Sequence, residues 1–498
     1  MRPRLSRDIL IYGVGEILVR AFALITLPIY TRVFPPEQYG TLSIVITLAG
    51  LVLAFVALGG DSAFIRFFLA ARTLPERQTV TSTWIGFLAG WSALAILIVL
   101  PLSGEIAKLA TGSTSAGGAV AIALLWTPVR LTNMMCAQLL RNEFRAVPSI
   151  VLNVMALALI VAGGVIGAVV LELGVEGVLL GTLAGELAML PIRLLSARHM
   201  LRWRFSLPTL RRLLAYGAPL VPTSLAYWIF TTSDRVLLSN LSTLEQVGLY
   251  SVAASSVGVA NIAVMALGQG WNPHAIQAYE ADEDVARHLF ARMFTYILAG
   301  FGLLAVGMTV FADELIGLLA GSGFEGAAAA VPPLALGMIA YASTQVTAGG
   351  ISLKGRTVFL AVYSWIGAVV NVLLNLLLIP PFGMVGAAWA TTAAYVVLTI
   401  GYGITSHRLW AFRYDWRRAA TILGLTVAAV LASPLLPQAG NDDPAMWIVA
   451  SGVKLLYCAG LLAAMFLFGG LDRAELTRVR SAWRGLRGDR SGSSLPSG

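Results

Sequence analysis

The sequence predicts an all-α polytopic membrane protein with about 14 transmembrane helices, arranged as two homologous six-helix lobes plus two C-terminal helices. Composition, apolar runs and an internal repeat carry this prediction. Hydrophobic residues make up 58% of the 498 residues and charged residues 12%, whereas soluble domains average about 25% charged residues. Apolar runs of the roughly 20 residues needed to cross a bilayer recur along the whole chain.

Fourteen apolar segments are predicted to span the membrane. They cover residues 9–33, 42–65, 82–103, 117–140, 149–171, 174–195, 213–233, 247–268, 291–312, 331–353, 358–379, 384–406, 419–437 and 446–469. The loops between them alternate in charge, with 28 arginines and lysines on one side and 3 on the other. By the positive-inside rule, the arginine-rich side is cytoplasmic. Both termini are therefore predicted to lie in the cytoplasm.

An internal repeat relates two halves of the chain that lie about 200 residues apart. The matching segments are LIYG at 10–13 with LAYG at 214–217, EQYG at 37–40 with EQVG at 245–248, and GVEG at 174–177 with GMVG at 383–386. Because each half has an even number of spans, both halves enter the membrane from the same side. The predicted domains are an N-terminal six-helix lobe (1–205), a C-terminal six-helix lobe (206–408), two additional helices (409–470) and a cytoplasmic amphipathic helix with a disordered tail (471–498).

Charge distribution and motif content argue against several other classes of protein. The net charge of +9 comes from arginines in alternate loops, so no nucleic-acid partner is expected. Cys136 and Cys458 lie inside apolar runs, which favours buried thiols over a disulfide. The sequence has no nucleotide-binding loop, metal-ligand spacing or hydrolase motif. We therefore expect no enzyme activity, no cofactor, no metal site and no ATP-driven pump.

Ionisable residues inside predicted spans are the candidate substrate-binding groups. Glu16 and Arg20 lie four residues apart near the middle of the first span, and Arg130 lies midway through the fourth. Charged groups at this depth usually face a cavity, and guanidinium groups bind phosphate with two hydrogen bonds. Arg20, Arg130 and Glu16 are therefore predicted to contact an anionic substrate. The alternative is that Arg20 pairs with Glu16, or Arg130 with Glu186, to hold helices together.

Carboxylates in or near the spans are candidate sites for a coupling ion. Glu16, Glu186 and Asp61 are predicted to bind a proton or a sodium ion, because burial favours the neutral or ion-paired state of a carboxylate. Structural ion pairing is the alternative for Glu16 and Glu186. Asn371 and Asn375 also lie inside a span, and we expect them to form hydrogen bonds between helices rather than to bind substrate.

Two pairs of neighbouring charges are candidate gates. Asp61 and Arg66 close the second predicted span on the cytoplasmic side, and Asp234 and Arg235 end the seventh on the other side. Either pair could form in one conformation and break in another. An ordinary surface ion pair is the alternative in both cases.

Three segments resemble the Wzx-type polysaccharide-biosynthesis flippases of the multidrug/oligosaccharidyl-lipid/polysaccharide superfamily. They are YGVGEILVRAFALITLPIYTRVFPPEQYGTLSIV at 12–45, LGGDSAFIRFF at 58–68 and NVLLNLLLIPPFGMVGAAWATTAAY at 371–395. The resemblance extends over essentially the whole chain.

The resemblance implies a protein of the bacterial inner membrane. It implies that two lobes alternate around a cationic cavity and move an undecaprenyl-diphosphate-linked oligosaccharide, such as an O-antigen, capsule or exopolysaccharide repeat unit, to the periplasmic leaflet. Ion coupling without ATP is also implied. The expected partners are the lipid-linked substrate, membrane lipids and other polysaccharide assembly proteins.

Other functions remain open. A lipid II flippase or a cation-coupled multidrug antiporter would share the fold, although buried arginines disfavour organic cations. A membrane-embedded polysaccharide polymerase would need longer outward loops than those at 312–331 and 436–445.

Overall fold

The computed structural model describes residues 25–202, 204–437 and 444–468, and the regular elements in these ranges are helices. They are α1 (25–33), α2 (Pro36–Val56), α3 (Gly60–Ala70), α4 (Leu74–Val99), α5 (Ser103–Thr111), α6 (Gly117–Asn142), α7 (Ala146–Val165), α8 (Gly174–Ala197), α9 (Leu207–Gly217), α10 (Val221–Leu241), α11 (Leu244–Gly258), α12 (Ala260–Ala281), α13 (Glu283–Val310), α14 (Ala312–Leu319), α15 (Val331–Thr347), α16 (Gly349–Leu353), α17 (Val358–Leu409), α18 (Trp416–Ala432) and α19 (Pro444–Phe468). The predicted all-α class is confirmed.

Twelve helical stretches in the described ranges are long and apolar enough to cross a membrane. One of them, α17, has 52 residues and bends at Gly383, whose φ of 54° and ψ of −132° are not helical. It covers two predicted spans, 358–379 and 384–406, and therefore counts twice. Residues 25–33 are the described part of the first predicted span, and that span as a whole stays a prediction. The protein is thus a multi-pass membrane protein, as predicted.

The second predicted span, 42–65, is wrong as a single helix, because the chain breaks between α2 and α3. Leu58 and Gly59 in this break have φ angles of 53° and 64°. Such left-handed residues cannot continue a right-handed helix. Asp61 and Arg66 consequently lie on a separate short helix.

Successive spans run in opposite directions, so the loops collect at two ends of the helix bundle. We name them the arginine-rich end, which carries residues 71–73, 143–145, 198–206 and 354–357, and the arginine-poor end, which carries residues 100–116, 242–243 and 311–330. These names follow the loop charges from which the orientation is predicted.

The internal repeat is visible in the backbone. Gly174 and Gly383, the first glycines of the two matching motifs, have φ angles of 60° and 54°, which favour glycine. The second glycines, Gly177 and Gly386, each contact the backbone of the preceding helical segment so closely that a Cβ would overlap a carbonyl oxygen. Equivalent glycines therefore serve equivalent local geometry in the two halves. The domain boundaries themselves stay a prediction, and the predicted tail at 471–498 lies outside the described residues.

The two additional helices, α18 and α19, attach to the second half through α13. Phe301, Ile422 and Met465 of these three helices belong to one buried cluster. Lys454 of α19 forms an ion pair with Glu314 of α14, with 2.5 Å between Nζ and Oε1. This pair fixes α19 to α14 of the second half.

Candidate functional site

The two halves meet at the arginine-poor end, where α2 contacts α11. Gly40 and Gly248, which are equivalent in the repeat, let the two backbones touch. A Cβ on Gly40 would overlap the carbonyl oxygen of Leu244, and a Cβ on Gly248 would overlap that of Pro36. Leu244 and Pro36 are equivalent as well, so the contact is symmetric. Any larger side chain at either glycine would force these helices apart.

Two further equivalent residues, Ser43 and Ser251, hydrogen-bond to each other beside the glycines. Their hydroxyl oxygens are 2.7 Å apart, and the residues are separated by 208 positions. A residue that contacts its own equivalent lies next to the two-fold axis that relates the two halves. We call the contact formed by Gly40, Ser43, Gly248 and Ser251 the α2–α11 seam. It joins the halves at the arginine-poor end through small, neutral residues.

Two further hydrogen bonds join the halves around the seam. The backbone amide of Gly321 donates a hydrogen bond of 3.2 Å to the hydroxyl of Thr31. The hydroxyl of Ser239 donates one of 2.7 Å to the carbonyl oxygen of Ala110. Each bond pairs a residue of the first half with one of the second. The closed region is therefore held by neutral hydrogen bonds that a conformational change can exchange for others.

The predicted gate residues on α3 are not paired with each other. The guanidinium carbon of Arg66 lies 4.5 Å from the centre of the Tyr216 ring on α9. Asp61 and Arg66 both have exposed side chains, and Arg66 faces the aromatic ring instead of the Asp61 carboxylate. The Arg66–Tyr216 contact joins α3 to α9 at the arginine-rich end. The gating role of these residues stays a prediction.

In the first half, Arg130 of α6 and Glu186 of α8 form an ion pair, with 2.8 Å between Nη1 and Oε1. Asn133 donates a hydrogen bond of 2.7 Å to the other carboxylate oxygen and one of 2.8 Å to the Glu186 carbonyl oxygen. Glu186 is only 4% exposed, whereas the side chain of Arg130 is 39% exposed. Both carboxylate oxygens are therefore engaged, while the Arg130 side chain stays partly exposed.

A buried arginine, Arg193, lies about two turns beyond Glu186 along α8. Its Nη2 donates hydrogen bonds to the Asn153 side chain at 2.8 Å and to the Leu152 carbonyl oxygen at 3.2 Å. Nε and Nη1 have no partner among the described residues, although the residue is 4% exposed. Arg193 was counted among the 28 loop arginines and lysines in the prediction of orientation, which was wrong, because α8 extends to Ala197. Its position inside the predicted span 174–195 was the available signal.

In the second half, Asp234 is buried on α10, about two turns before the helix ends. Tyr250 of α11 donates its hydroxyl hydrogen to the carboxylate, and Nη1 of Arg235 lies 3.6 Å from Oδ1. The predicted location at the end of the seventh span was wrong, because α10 continues to Leu241. Asp234 and Arg235 are adjacent as expected, but Tyr250 is the closest partner of the acid.

A chain of neutral polar groups continues from Tyr250 into α17. The Tyr250 hydroxyl lies 3.4 Å from that of Thr391, which accepts a hydrogen bond of 3.3 Å from Asn371. Asn371 in turn accepts bonds from Ser233 at 3.1 Å and from Asn375 at 3.0 Å. The side-chain oxygen of Asn375 is buried and has no partner among the described residues. The predicted interhelical hydrogen bond is present for Asn371, which accepts from Ser233 on α10, whereas Asn375 donates to Asn371 on its own helix.

Two of the predicted site residues, Glu16 and Arg20, lie outside the described residues. Within the described ranges, no group of three or more histidine, cysteine or acidic side chains could hold a metal ion. Sequence reasoning missed Tyr250 and Thr391, since a tyrosine or threonine inside an apolar run gives no signal of its own.

A family model described as "Polysaccharide biosynthesis protein" matches residues 5–279, more than half of the chain. The chain belongs to this family. The matched range includes both helices of the α2–α11 seam, the Arg130–Glu186 pair and Asp234. It ends before α17, so the asparagines of the second half lie beyond the part that defines this polysaccharide biosynthesis family.

One curated relative of this family member is the probable low-salt glycan biosynthesis flippase Agl15 of Haloferax volcanii. The two proteins are 25% identical over 308 residues, which cover 60% of this chain and 64% of the relative. The match thus spans just under two thirds of the relative's length.

Two solved structures have a similar fold. One is the lipid II flippase MurJ in an inward closed conformation, with a TM-score of 0.74, 14% identity and coverage of 92% of this chain and 98% of that chain. The other is an inward-facing multidrug resistance MATE family transporter of the MOP superfamily, with a TM-score of 0.61, 15% identity and coverage of 84% and 99%. These proteins are named as flippases and transporters, not enzymes, in agreement with the expected class.

Proposed function

We propose that this protein is a flippase that moves a lipid-linked oligosaccharide across a membrane by alternating access. Its family is described by polysaccharide biosynthesis, and its curated relative is named as a glycan flippase. The observation that carries the proposal is the α2–α11 seam. A symmetric contact of glycine and serine closes one end of the protein, and opening it breaks no ion pair.

The substrate-binding part of the proposal rests on Arg130. Its guanidinium group is held by Glu186 but remains partly exposed, and a diphosphate is an anion that guanidinium binds well. Arg20 and Glu16 are proposed to act in the same half. The glycan lipid is proposed to be undecaprenyl-diphosphate-linked, in a bacterial inner membrane, with both termini of the protein in the cytoplasm and other assembly proteins as partners.

Ion coupling is proposed to act through Asp234. The Glu186 carboxylate already accepts hydrogen bonds from two side chains, so taking up an ion there would break existing bonds. Asp234 is connected to Asn375, whose side-chain oxygen has no partner among the described residues, through Tyr250, Thr391 and Asn371. Carboxylate, amide and hydroxyl oxygens are suitable ligands for a hard cation. Glu186, Asp61 and Glu16 remain the competing coupling sites.

Locking the α2–α11 seam tests the proposal directly. Ser43→Cys and Ser251→Cys would be combined in a background without Cys136 and Cys458. The 2.7 Å between the serine oxygens places the two side chains close enough for a disulfide. Transport of a fluorescent undecaprenyl-diphosphate oligosaccharide is then measured in proteoliposomes under oxidising and reducing conditions. We expect transport to stop on oxidation and to return on reduction.

Each single cysteine variant is the matched control and should transport under both conditions. Unchanged transport in the fully cross-linked double variant would contradict alternating access through this seam. The same assay with a proton or sodium gradient identifies the coupling ion.

Two functions of similar folds are the competing candidates. The likeness to MurJ favours a test with lipid II as substrate, and the likeness to a MATE transporter favours a test with organic cations. Transport of lipid II but not of lipid-linked oligosaccharide would replace the proposed substrate while leaving the mechanism intact. Drug resistance on expression would favour the antiporter.

A further inference from the structure

The second half contains an apolar slot of about 880 Å³ between α13, α15, α17 and α18. Leu298, Leu336, Val396 and Leu423 are among its walls. Val396, Ile400 and Ile404, which line it along α17, are 40 to 55% exposed, so the slot opens on the outside of the bundle. Neither helix of the α2–α11 seam contributes to it. The slot is therefore separate from the site described above.

Two buried hydroxyl groups that have no hydrogen-bond partner among the described residues line the arginine-rich end of the slot. Thr347 is 3% exposed and Tyr414 is 9% exposed, and neither hydroxyl is paired. Both side chains approach Gly403: a Cβ on this glycine would lie 3.8 Å from the Tyr414 oxygen and 3.9 Å from Thr347 Cγ2. Buried hydroxyl groups normally find a partner. These two groups are free to donate to a ligand in the slot.

A basic rim lies beyond the hydroxyl groups. Arg408 is five residues after Gly403 on the same helix, about 7.5 Å along its axis, and Arg413 follows in the next loop. Both side chains are exposed and line the slot, and neither forms an ion pair within the described ranges. The nearby Asp415 is already paired with Arg418 at 2.9 Å. The rim therefore presents uncompensated positive charge.

We propose that this slot binds an anionic diacyl phospholipid. The acyl chain lies between α17 and α18, the ester carbonyl oxygens accept hydrogen bonds from Thr347 and Tyr414, and the phosphate contacts Arg408 and Arg413. The order of these groups along the slot supports the assignment. Apolar walls, then hydroxyl groups, then arginines match the acyl chains, ester groups and phosphate of a phospholipid, in which the esters lie directly beneath the phosphate. A polyprenyl phosphate has no ester group and would leave both hydroxyls unpaired. The occupant is thus a membrane lipid and not the transported substrate.

The test measures lipid binding to the purified full-length protein by native mass spectrometry, with phosphatidylglycerol, its ether-linked analogue, phosphatidylcholine and undecaprenyl phosphate. We expect phosphatidylglycerol to bind most tightly. Arg408→Gln combined with Arg413→Gln should weaken its binding about tenfold, as expected for lost charge-assisted hydrogen bonds. Arg211→Gln combined with Arg212→Gln removes the same charge from exposed residues outside the slot and should change binding little.

The hydroxyl groups have their own test. Thr347→Val combined with Tyr414→Phe keeps the shape of the slot and should abolish the preference for the ester-linked over the ether-linked lipid. Equal binding of phosphatidylglycerol and phosphatidylcholine would overturn the proposal, as would unchanged binding in the Arg408 and Arg413 variant. Tighter binding of undecaprenyl phosphate would assign the slot to a polyprenyl lipid instead. Transport activity does not enter these measurements, so they are independent of the proposed function.

Discussion

The two halves share a scaffold but differ in the polar groups that they bury. The first half buries the Glu186 carboxylate, which pairs with the partly exposed Arg130, and the partly unpaired Arg193. Among the described residues of the second half, Asp234 is buried beside Arg235 and a chain of hydroxyl and amide groups. The offset between Gly174 and Gly383 places Tyr395 opposite Glu186 and Tyr402 opposite Arg193. The two halves therefore share equivalent backbone contacts but differ in the polar residues that they bury.

This difference suggests that the two halves have different roles in transport. A guanidinium group that is held by one carboxylate and partly exposed suits an anionic substrate. Asp234 contacts Arg235 as well as the Tyr250 hydroxyl, and its carboxylate together with the hydroxyl oxygens of this network can replace the hydration shell of a small cation. Four predictions, in order of decreasing expected effect, test this difference between the halves.

The largest effect is expected for Glu186→Ala. This change leaves the Arg130 guanidinium group and the Asn133 amide without their shared acceptor, so unfolding should become easier by about 3 kcal/mol. Tyr395→Phe is the matched change in the second half. Tyr395 packs against Phe230 and Tyr341 with ring centres 4.8 and 5.1 Å away, contacts that phenylalanine retains, so a loss of under about 0.5 kcal/mol is expected. Denaturant unfolding in detergent measures both. Similar losses would show that the buried charge is not what distinguishes the halves.

Asp234→Asn should have the next largest effect on stability. The Tyr250 hydroxyl would lose a charged acceptor, which is worth about 2 kcal/mol. Stimulation of transport by an ion gradient should disappear, while transport without a gradient should remain. Asp313→Asn, which changes an exposed carboxylate on α14, should alter neither property. If Glu186→Gln removed the gradient dependence and Asp234→Asn did not, the proposed roles of the two halves would be exchanged.

Replacing the first glycine of each repeated motif by alanine compares how strongly the backbone of each half depends on that glycine. Gly174→Ala should cost about 1 to 2 kcal/mol, because its φ is left-handed and nothing else is in the way. Gly383→Ala should cost more, since a Cβ there would also press on the Gln246 side chain, which accepts a hydrogen bond of 2.9 Å from the Met384 amide. Gly424→Ala, inside α18 with open space around it, serves as the control and should be neutral or stabilising. Equal losses of stability at Gly174 and Gly383 would show that the contact with Gln246 adds nothing to the cost at Gly383.

The smallest effects are expected at the α2–α11 seam. Ser43→Ala and Ser251→Ala should each cost about 1 kcal/mol, because each removes one partner of the same hydrogen bond. The double variant should cost little more than either single variant, since the second change has no bond left to break. Thermal unfolding of the three variants measures this. Additive losses would mean that the two hydroxyls do not bond across the axis in solution.

The sequence anticipated features that depend on local pattern. The spans follow from runs of apolar residues, and the repeat follows from matching glycine motifs such as 174–177 and 383–386. The Arg130–Glu186 pairing was one of two readings that the sequence left open. The break after α2 was missed, because a Gly-Gly pair inside an apolar run does not reveal that Leu58 also turns left-handed.

The sequence by itself determined the class of the protein, because transfer of backbone and side chains into a bilayer depends on composition and length alone. It also determined the two-fold repeat, since equivalent glycines were retained in both halves. Only the tertiary structure decided that Gly40 meets Gly248, that Ser43 bonds Ser251, and that Tyr250 reaches Asp234. These contacts join residues on separate helices, and their geometry depends on how the helices pack rather than on any pattern within one segment.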